Sequence, residues 1–342
     1  MKIKIDILSK ATSAPAQGVG SVYLEQTKLL EDFGKEDFEL SYNKHTNKAD
    51  LYHIHSINPI FYLMMKKKRT TICFVHFLPN TLEGSIKLPK FMFSIFKKYV
   101  VSFYKKAKEI VVVNPSFIKD LTEYGLDEKR ITYIPNFVSE KNFYKLEDTE
   151  KIELRRKYSI PENAFTVLSV GQVQTRKGVL DFLKLSEENP DMYFIWAGGF
   201  SFKGITDGYK ELKAEMEKKR DNVKFLGIVD REKMNEVYNL ADVFLLPSYN
   251  ELFPMALLEN CSVTNPYIVR DLSLYDDILL GDYLRAKDND EFSFILRRLR
   301  TDKEFYNDGV EISKLMKEKY SRSAVYQMWK EYYQNIYLKY KK

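Results

Sequence analysis

The chain has 342 residues, of which 44% are hydrophobic and 30% charged, which predicts about two folded domains and excludes a globally disordered protein. Its two cysteines, Cys73 and Cys261, lie far apart in apolar segments, which excludes a disulfide framework or a cysteine-rich metal site. The net charge is only +6, and we expect neither a secretory signal nor a membrane span, because no apolar run reaches about 18 residues.

Short apolar runs alternate with helical patterns in the first part of the chain. Strands are predicted at 3–8, 71–77, 109–114 and 131–136, and His53 and His55 share one face of a further probable strand. Helices are predicted near 21–33, 90–107 and 115–124. This alternation predicts a parallel sheet that is covered by helices on both faces.

The alternation pauses at the polar segment 137–150 and then starts again. The second set of strands is predicted at 165–171, 192–199, 222–229, 242–248 and 266–270. The helices between them are predicted near 178–187, 208–219, 231–240 and 254–263. The fold class is therefore α/β, with two Rossmann-like, doubly wound domains at 1–140 and 150–320 that face each other across a cleft. We expect the aromatic helix within 321–342 to cross the domain junction.

The segment NELFPMALLE places two carboxylates, Glu251 and Glu259, on either side of an apolar run. Pro254 is suited to the first turn of a helix, and the free N–H groups from Met255 and Ala256 onward would form an anion site with the helix dipole. The two glutamates would then flank a bound phosphate and accept hydrogen bonds from hydroxyl groups. The simpler alternative is a helix-capping Glu251 and an amphipathic Glu259.

The segment SVGQVQTRKGVLDF leads from a predicted strand into a helix. Gly171 ends the strand, Gln172 opens a polar loop, and the adjacent cations Arg176 and Lys177 precede the helix. Arginine can donate two hydrogen bonds to one anion and lysine adds a point charge, so this pair suits a diphosphate. A solvated basic turn is the alternative.

Two features of the first domain also follow strands. Gly18 and Gly20 lie where the first strand gives way to a helix, and glycine there would allow close approach of a ligand to the backbone. His76 ends the strand at 71–77 and could face the cleft, although a single histidine is more often structural. In doubly wound folds ligands bind at the carboxyl ends of the strands, where all of these features are predicted to lie.

This set of segments, GVGSVY, FVH, YIPNFV, SVGQVQTRKGV and NELFPMALLE, resembles the retaining glycosyltransferases of family 4, which have the GT-B fold and use nucleotide-sugar donors. The resemblance covers nearly the whole chain. The sequences of the segments VGQVQTRKGVLDF and LPSYNELFPMALLE resemble those of a bacterial branch of this family. The enzymes of that branch add glucose or galactose to diacylglycerol or monoglycosyl-diacylglycerol.

The resemblance implies a role for each matching residue. Arg176 and Lys177 match the basic pair on the donor diphosphate, and Glu251 matches the acid that holds the hydroxyls of the donor sugar. Glu259 matches the residue that binds the ribose, and His76 the histidine near the C6 hydroxyl of the donor sugar. The matching positions near the phosphates and the nucleotide are Gly18, Gly20, Gly171, Gln172, Met255 and Ala256.

Three departures from the family pattern concern how the nucleotide is held. Gln172 stands where many relatives have arginine, so diphosphate binding would depend more on Lys177 and helix amides. Pro254 replaces a common glycine and removes one N–H donor. The segment after Glu259 lacks the usual glycine-rich turn.

The resemblance implies that no cofactor is required beyond the UDP-hexose donor, with a divalent metal as a possible stimulant. The run Asp288-Asn289-Asp290 is similar to a metal signature of another fold class, but its position before EFSFILRRL indicates a helix N-terminus.

The remaining feature is an excess of positive charge. Residues 62–108 are rich in Lys and Arg and contain one acidic residue, Glu83, and the segment 87–109 combines seven lysines with aromatic and aliphatic residues. This pattern predicts a surface for an anionic membrane, with the protein in the cytoplasm and peripheral on the inner face of the cell membrane. The alternatives are an ordinary sheet-covering helix and a soluble or polysaccharide acceptor. No nucleic-acid-binding motif is present.

Overall fold

The computed structural model describes residues 2–10, 18–44, 48–66, 68–79, 90–200 and 208–341. The chain divides into two compact units, Met1–Phe137 with Ser321–Lys342, and Val138–Tyr320. Each unit contains one six-stranded sheet, and every strand pair in both sheets is parallel. The predicted α/β class with two doubly wound sheets is confirmed.

The sheet of the first unit has the order β2-β1-β3-β4-β5-β6. Its strands are β1 (Ile3–Leu8), β2 (Phe38–Tyr42), β3 (Leu51–Ile54), β4 (Thr70–Val75), β5 (Glu109–Val112) and β6 (Ile131–Tyr133). The helices of this unit are α1 (Gly18–Phe33), α2 (Pro59–Met64), α3 (Lys90–Lys106), α4 (Ser116–Glu123) and α12 (Arg322–Tyr340). The central strands β3, β4 and β5 are buried along their whole length, which explains their nearly continuous apolar sequence.

The sheet of the second unit has the order β12-β11-β10-β7-β8-β9. Its strands are β7 (Thr166–Val170), β8 (Tyr193–Ala197), β9 (Val223–Gly227), β10 (Val243–Leu246), β11 (Tyr267–Arg270) and β12 (Leu284–Ala286). Its helices are α5 (Asp148–Lys157), α6 (Val179–Glu188), α7 (Tyr209–Glu217), α8 (Met234–Asn239), α9 (Met255–Val263), α10 (Asn289–Thr301) and α11 (Lys303–Lys319). An edge-to-face aromatic cluster of Phe182, Phe194 and Trp196 joins α6 to β8 in the core.

The long C-terminal helix α12 returns to the first unit. Ser321 caps its first turn by accepting the N–H of Ala324. Trp329 and Tyr333 are buried against the ring of His53, and Arg322 pairs with Asp32 of α1 at 2.7 Å. The packing of this helix is therefore established within the first unit, whereas its crossing of the domain junction stays a prediction.

The predicted elements agree with the structure to within a few residues, and several elements were not predicted. These are β2, α2, α5, β12 and α11. The predicted helix N-terminus at Asp288 is confirmed, because its carboxylate accepts the backbone N–H of Glu291 at 3.0 Å at the start of α10. In the described part of the chain, no helix combines the length and the apolarity that crossing a bilayer requires.

Candidate active site

The loops that follow β7 and β10 lie side by side, because these two strands are neighbours in the second sheet. The backbone N–H of Tyr249 donates to the carbonyl of Arg176 at 2.8 Å. Gly178 has a φ of +73°, and a Cβ atom there would lie 2.4 Å from the carbonyl oxygen of Pro247. Only glycine fits this approach, so Gly178 allows the basic turn to sit against the loop that carries Glu251.

The centre of this arrangement is an ion pair between Lys177 and Glu251. The lysine Nζ lies 2.5 Å from Oε1 of the glutamate, and the two side chains are 15% and 7% exposed. Burying two charges is costly, so such pairs at strand ends are often retained for function rather than stability. An ammonium group has three N–H donors, and the pairing with Glu251 leaves donors of Lys177 for an anion.

Arg176 is held beside this pair. One guanidinium nitrogen, Nη1, donates to the carbonyl of Asn250 at 3.2 Å. Its Nε is buried and has no hydrogen-bond partner among the described residues. The two predicted cations and Glu251 are thus brought together, and Arg176 keeps an unused donor in this region.

Helix α9 begins next to the same loop. Pro254 precedes its first residue and accepts the N–H of Leu257 at 3.0 Å, so it lies one position before the helix rather than in its first turn. Its side chain forms no capping hydrogen bond. The N–H groups of Met255 and Ala256 have no carbonyl acceptor within the helix, as for any helix N-terminus, and the dipole adds partial positive charge there. These amides can bind an anion.

Glu259 is 4% exposed and lies inside α9. One carboxylate oxygen pairs with the guanidinium of Arg231, and the other accepts the hydroxyl of Tyr238 at 2.6 Å. Burial, together with the neighbouring Glu259 carboxylate, raises the pKa of Tyr238 well above its usual value, so its hydroxyl remains a donor. This carboxylate has specific partners, which an exposed residue on an amphipathic helix would not have.

Sequence reasoning missed Arg231 and Tyr238. Arg231 follows β9 by a few residues and stacks over the ring of Phe143 at 4.9 Å. The strand-end rule that singled out Lys177 could also have found Arg231. Tyr238 gave no signal, because nothing in its local sequence separates it from a core aromatic residue.

Gly171 and Gln172 shape the loop after β7. The N–H of Gly171 donates to the carbonyl of Ala197, and its own carbonyl accepts Nε1–H of Trp196, both at 3.0 Å. Gly198 has a φ of +137°, and a Cβ atom there would lie 1.9 Å from the carbonyl oxygen of Gly171. Gln172 accepts a hydrogen bond from Gln174 at 2.8 Å. The loop is fixed by its neighbours before any ligand binds.

In the first unit, His76 directly follows β4 and belongs to a stack of three histidines. Its ring lies 5.4 Å from that of His55, which lies 4.5 Å from that of His53. Burial lowers the pKa of His76 to about 3 and that of His53 to about 3. Burial, with the neighbouring histidines, also lowers the pKa of His55 well below its usual value. All three rings are therefore neutral at physiological pH.

The partners of His55 determine which nitrogen of His76 carries the proton. Nδ1 of His55 lies 3.3 Å from Nε2 of His76, while Nε2 of His55 is buried and has no hydrogen-bond partner in the part of the chain that the structure describes. An unpaired buried N–H costs more than an unpaired ring lone pair, so the proton of His55 belongs on Nδ1. His55 then donates to Nε2 of His76, and the neutral ring of His76 carries its own proton on Nδ1.

Gly18 and Gly20 lie in the first turn of α1, and Gly20 is buried. The rest of the predicted glycine-rich turn, 11–17, lies outside the described residues. The eleven predicted site residues thus divide between the units. Gly18, Gly20 and His76 belong to the first, and the other eight belong to the second.

Comparison with known proteins agrees with this arrangement. Residues 19–141 match the model of glycosyltransferase family 4, and residues 150–308 match that of glycosyl transferases group 1. The chain is 43% identical over 336 residues to an alpha-galactosylglucosyldiacylglycerol synthase of Streptococcus pneumoniae, covering 97% of this chain and 90% of that protein. The chain is a family 4 glycosyltransferase.

Two further comparisons concern a more distant sequence relative and the fold. It is 24% identical to the processive diacylglycerol alpha-glucosyltransferase of Acholeplasma laidlawii, over 85% of this chain and 86% of that one. Its fold is similar to that of Anabaena HepE, whose crystal structure is a complex with UDP-glucose. That match has a TM-score of 0.77 at 14% identity and covers 97% of this chain and all of the other. The predicted GT-B fold is confirmed.

Proposed function

We propose that this glycosyltransferase transfers glucose or galactose from a UDP-sugar to a diacylglycerol lipid that already carries one sugar, with retention of the α configuration. The observation that carries the proposal is the buried Lys177–Glu251 pair beside the N-terminus of α9. This pair provides a cation that can bind a diphosphate and a carboxylate that can accept hydrogen bonds from sugar hydroxyls. The high identity to a named glycosyl-diacylglycerol synthase supports the lipid acceptor.

The second unit supplies the groups that a UDP-sugar needs. Arg176, Lys177 and the first amides of α9 would bind the diphosphate, and Glu251 would accept hydrogen bonds from the donor sugar. Glu259 would bind the ribose hydroxyls, held in place by Arg231 and Tyr238. The complex of the related fold with UDP-glucose supports this choice of donor.

The reaction depends on stabilising the leaving group. As the bond between the anomeric carbon and the diphosphate oxygen breaks, negative charge grows on UDP next to the cations and amides. Preorganised donors of this kind are often the largest single contribution to catalysis. The acceptor hydroxyl oxygen forms the new bond on the same face of the sugar, and its proton passes to the departing phosphate oxygen. Our proposal requires no metal for these steps.

His76 would contribute from the first unit. Its Nδ1–H is a neutral donor, suited to the oxygen of a sugar hydroxyl such as that on C6. Because burial keeps the ring uncharged, it would act as a hydrogen-bond donor that carries no positive charge. The role of His76 is therefore positioning and hydrogen bonding, with no proton transfer.

The first unit also offers a surface for the membrane that holds the acceptor. Helices α2 and α3 pack together through Tyr62, whose hydroxyl lies 2.9 Å from that of Ser102. Leu63 is 72% exposed and Ile95 is 63% exposed. The exposed apolar side chains of these two helices are Ile60, Leu63, Phe91, Met92 and Ile95, and we propose that they form one apolar face. Several large apolar side chains exposed on packed helices indicate a binding surface rather than isolated exceptions.

Positive charge accompanies this apolar face. Lys66, Lys98, Lys105 and Lys106 are exposed on or beside the same two helices. Near an anionic bilayer each such residue contributes about 1 kcal/mol. The combination supports an anionic lipid surface, and we propose that the enzyme acts as a peripheral protein on the inner face of the cell membrane. The alternative is a family 4 enzyme with a soluble or polysaccharide acceptor.

Donor and acceptor can be tested together. The enzyme is incubated with UDP-glucose or UDP-galactose and with diacylglycerol or monoglycosyl-diacylglycerol, and the products are identified by mass spectrometry. We expect transfer to the monoglycosyl lipid. Transfer to neither lipid, with UDP released only in the presence of a soluble saccharide, would establish the alternative.

The role of the ion pair needs a control for folding. Lys177→Met should lower kcat roughly 10²- to 10³-fold, as for loss of a transition-state donor. The double variant Lys177→Met/Glu251→Gln removes the unpaired buried charge and should recover stability but not activity. Recovery of activity would show that the pair is structural only.

The membrane surface has its own test. Leu63→Gln/Ile95→Gln should weaken co-sedimentation with anionic vesicles, while Phe294→Gln should not, because that equally exposed residue lies on α10 of the second unit. Equal binding by all three proteins would remove the proposed face.

A further inference from the structure

A cavity of about 890 Å³ opens at the amino-terminal edge of the first sheet. Thr70, the first residue of β4, lines it, whereas His76 follows the other end of that strand. The six residues of this strand span about 20 Å, so the cavity is separate from the end of β4 where His76 is proposed to bind the donor sugar. The residues that determine its chemistry are Asp50, Lys68, Lys108, Tyr337, Tyr340 and Lys341.

The charge of this cavity is unbalanced. Three lysines line it with a single carboxylate, Asp50, which already accepts the backbone N–H of Lys4 at 2.8 Å. Within the described ranges, neither Lys68 nor Lys341 has a carboxylate partner. Nearby Lys339 differs, because its ammonium lies 2.6 Å from Glu109. The described lining residues therefore carry more positive than negative charge.

Two tyrosine rings hold part of that charge in place. The ammonium of Lys108 lies 4.6 Å from the ring centre of Tyr340, and that of Lys341 lies 5.3 Å from that of Tyr337. The hydroxyl of Tyr340 donates to Glu109 at 2.7 Å, which fixes its ring. Cation–π contacts of this kind position ammonium groups without neutralising them.

We propose that this cavity binds an organic phosphate, with the phosphate among the ammonium groups of Lys68, Lys108 and Lys341 and the organic part against Tyr337 and Tyr340. Three lysines suit a group with several charged oxygens, because each ammonium is a strong point-charge donor. The volume lies within the range of small-molecule sites and exceeds the needs of a bare phosphate ion. The chemistry fits both a phospholipid headgroup and a soluble phosphate ester.

This site is distinct from the cations and amides proposed to bind the donor diphosphate, because Arg176, Lys177 and the first amides of α9 belong to the second unit. It lies instead beside the last turns of α12, the helix whose Tyr333 bonds to His53 at 2.7 Å. A bound anion would bridge that helix end to the loops that begin β4 and β5.

Titration calorimetry on the full chain, with UDP present at saturation, tests the proposal. The probes are inorganic phosphate, glycerol 3-phosphate and dihexanoyl phosphatidylglycerol below its micelle concentration. The site variant is Lys68→Gln/Lys341→Gln. The control is Lys119→Gln/Lys129→Gln, which removes the same charge from exposed positions of the same unit.

We expect at least one ester to bind, more tightly than inorganic phosphate, and to lose about tenfold or more of its affinity in the site variant only. Tighter binding of the lipid monomer would assign a headgroup, and comparable or tighter binding of glycerol phosphate a soluble ester. UDP affinity should stay unchanged in both variants. Failure of both esters to bind the wild type, or equal binding to the site variant and the control, would overturn the proposal.

Discussion

Acidification should unfold the first unit through its histidine stack. In the unfolded chain a histidine gains its proton near pH 6.5, whereas burial lowers the pKa of His53 to about 3. Between these values the unfolded state binds more protons, so stability is fully present above about pH 6.5 and is lost as the pH falls. Each buried histidine contributes about 1.4 kcal/mol per pH unit in this window. From pH 7.5 to pH 5, His53 alone costs about 2 kcal/mol, and the lowered pKa values of His55 and His76 add to this loss of stability.

The two tryptophans of the chain make this measurable. Trp329 lies in the first unit with its ring 5.0 Å from that of His53, while Trp196 lies in the core of the second unit. In a Trp196→Phe background, urea unfolding followed by fluorescence therefore reports on the first unit. The free energy of unfolding is measured at intervals between pH 7.5 and pH 5.

A matched variant separates the histidines from the carboxylates. His53→Leu in the same background removes one titrating ring and leaves the acidic residues unchanged. Its pH slope should be shallower than that of the parent by about one proton, or about 1.4 kcal/mol per pH unit below pH 6. Identical slopes in the two proteins would refute the reasoning, because they would mean that His53 is charged to the same extent in both states.

Three further predictions concern the second unit, with urea unfolding followed through Trp196 in a Trp329→Phe background as the common measurement. Lys177→Met should destabilise the unit by about 3–5 kcal/mol, because it leaves the Glu251 carboxylate buried without a cation, and an unchanged midpoint would mean that solvent reaches the pair. Asp288→Ala should lower the free energy of unfolding by about 1 kcal/mol, because the α10 cap is lost, while transferase activity at 25 °C stays unchanged. A loss of activity in the folded variant would contradict a purely capping role. Gly198→Ala should cost about 1–3 kcal/mol, because its Cβ atom would meet the carbonyl of Gly171, and wild-type stability would show that the loop can move aside.

Most of the strands that sequence reasoning found are buried along most of their length, although β6 and β9 were also found and are only partly buried. The apolar runs of β1, β4, β5, β7, β8 and β10 are visible because both faces of a parallel strand are covered. The strand β2 was missed because it lies at the edge of the sheet and its sequence, FELSY, is only partly buried. The three-residue edge strand β12 was too short to give a pattern.

Helix α5 was missed for a different reason. Its sequence, DTEKIELRRK, has almost no apolar face, and no helix was predicted there; its first residues fall within the polar segment 137–150. The helix is held by charges instead. Arg155 is buried and donates to Asp242 at 2.7 Å, and Lys151 pairs with the other oxygen of the same carboxylate at 2.6 Å. Such pairing joins residues nearly 90 positions apart, and no local pattern predicts it.

The candidate site shows the same division. His76, Lys177 and Glu251 were singled out because each follows a predicted strand. In a parallel sheet the carboxyl ends of the strands lie at the same edge of that sheet, where ligands bind. That position did not reveal what those side chains contact. The pairing of Lys177 with Glu251, of Glu259 with Arg231, and of His53 with the distant Tyr333 depends on tertiary structure alone.

The return of α12 to the first unit has a consequence for synthesis on the ribosome. The core around His53 and Phe74 lacks Trp329 and Tyr333 until the whole of the second unit has been translated. At roughly 5–20 residues per second this delay lasts about 10–40 s, during which the second unit can fold alone but the first cannot close. The nascent first unit would therefore expose apolar side chains for that period. A truncated mRNA that ends before the codons of α12 would leave those side chains permanently exposed.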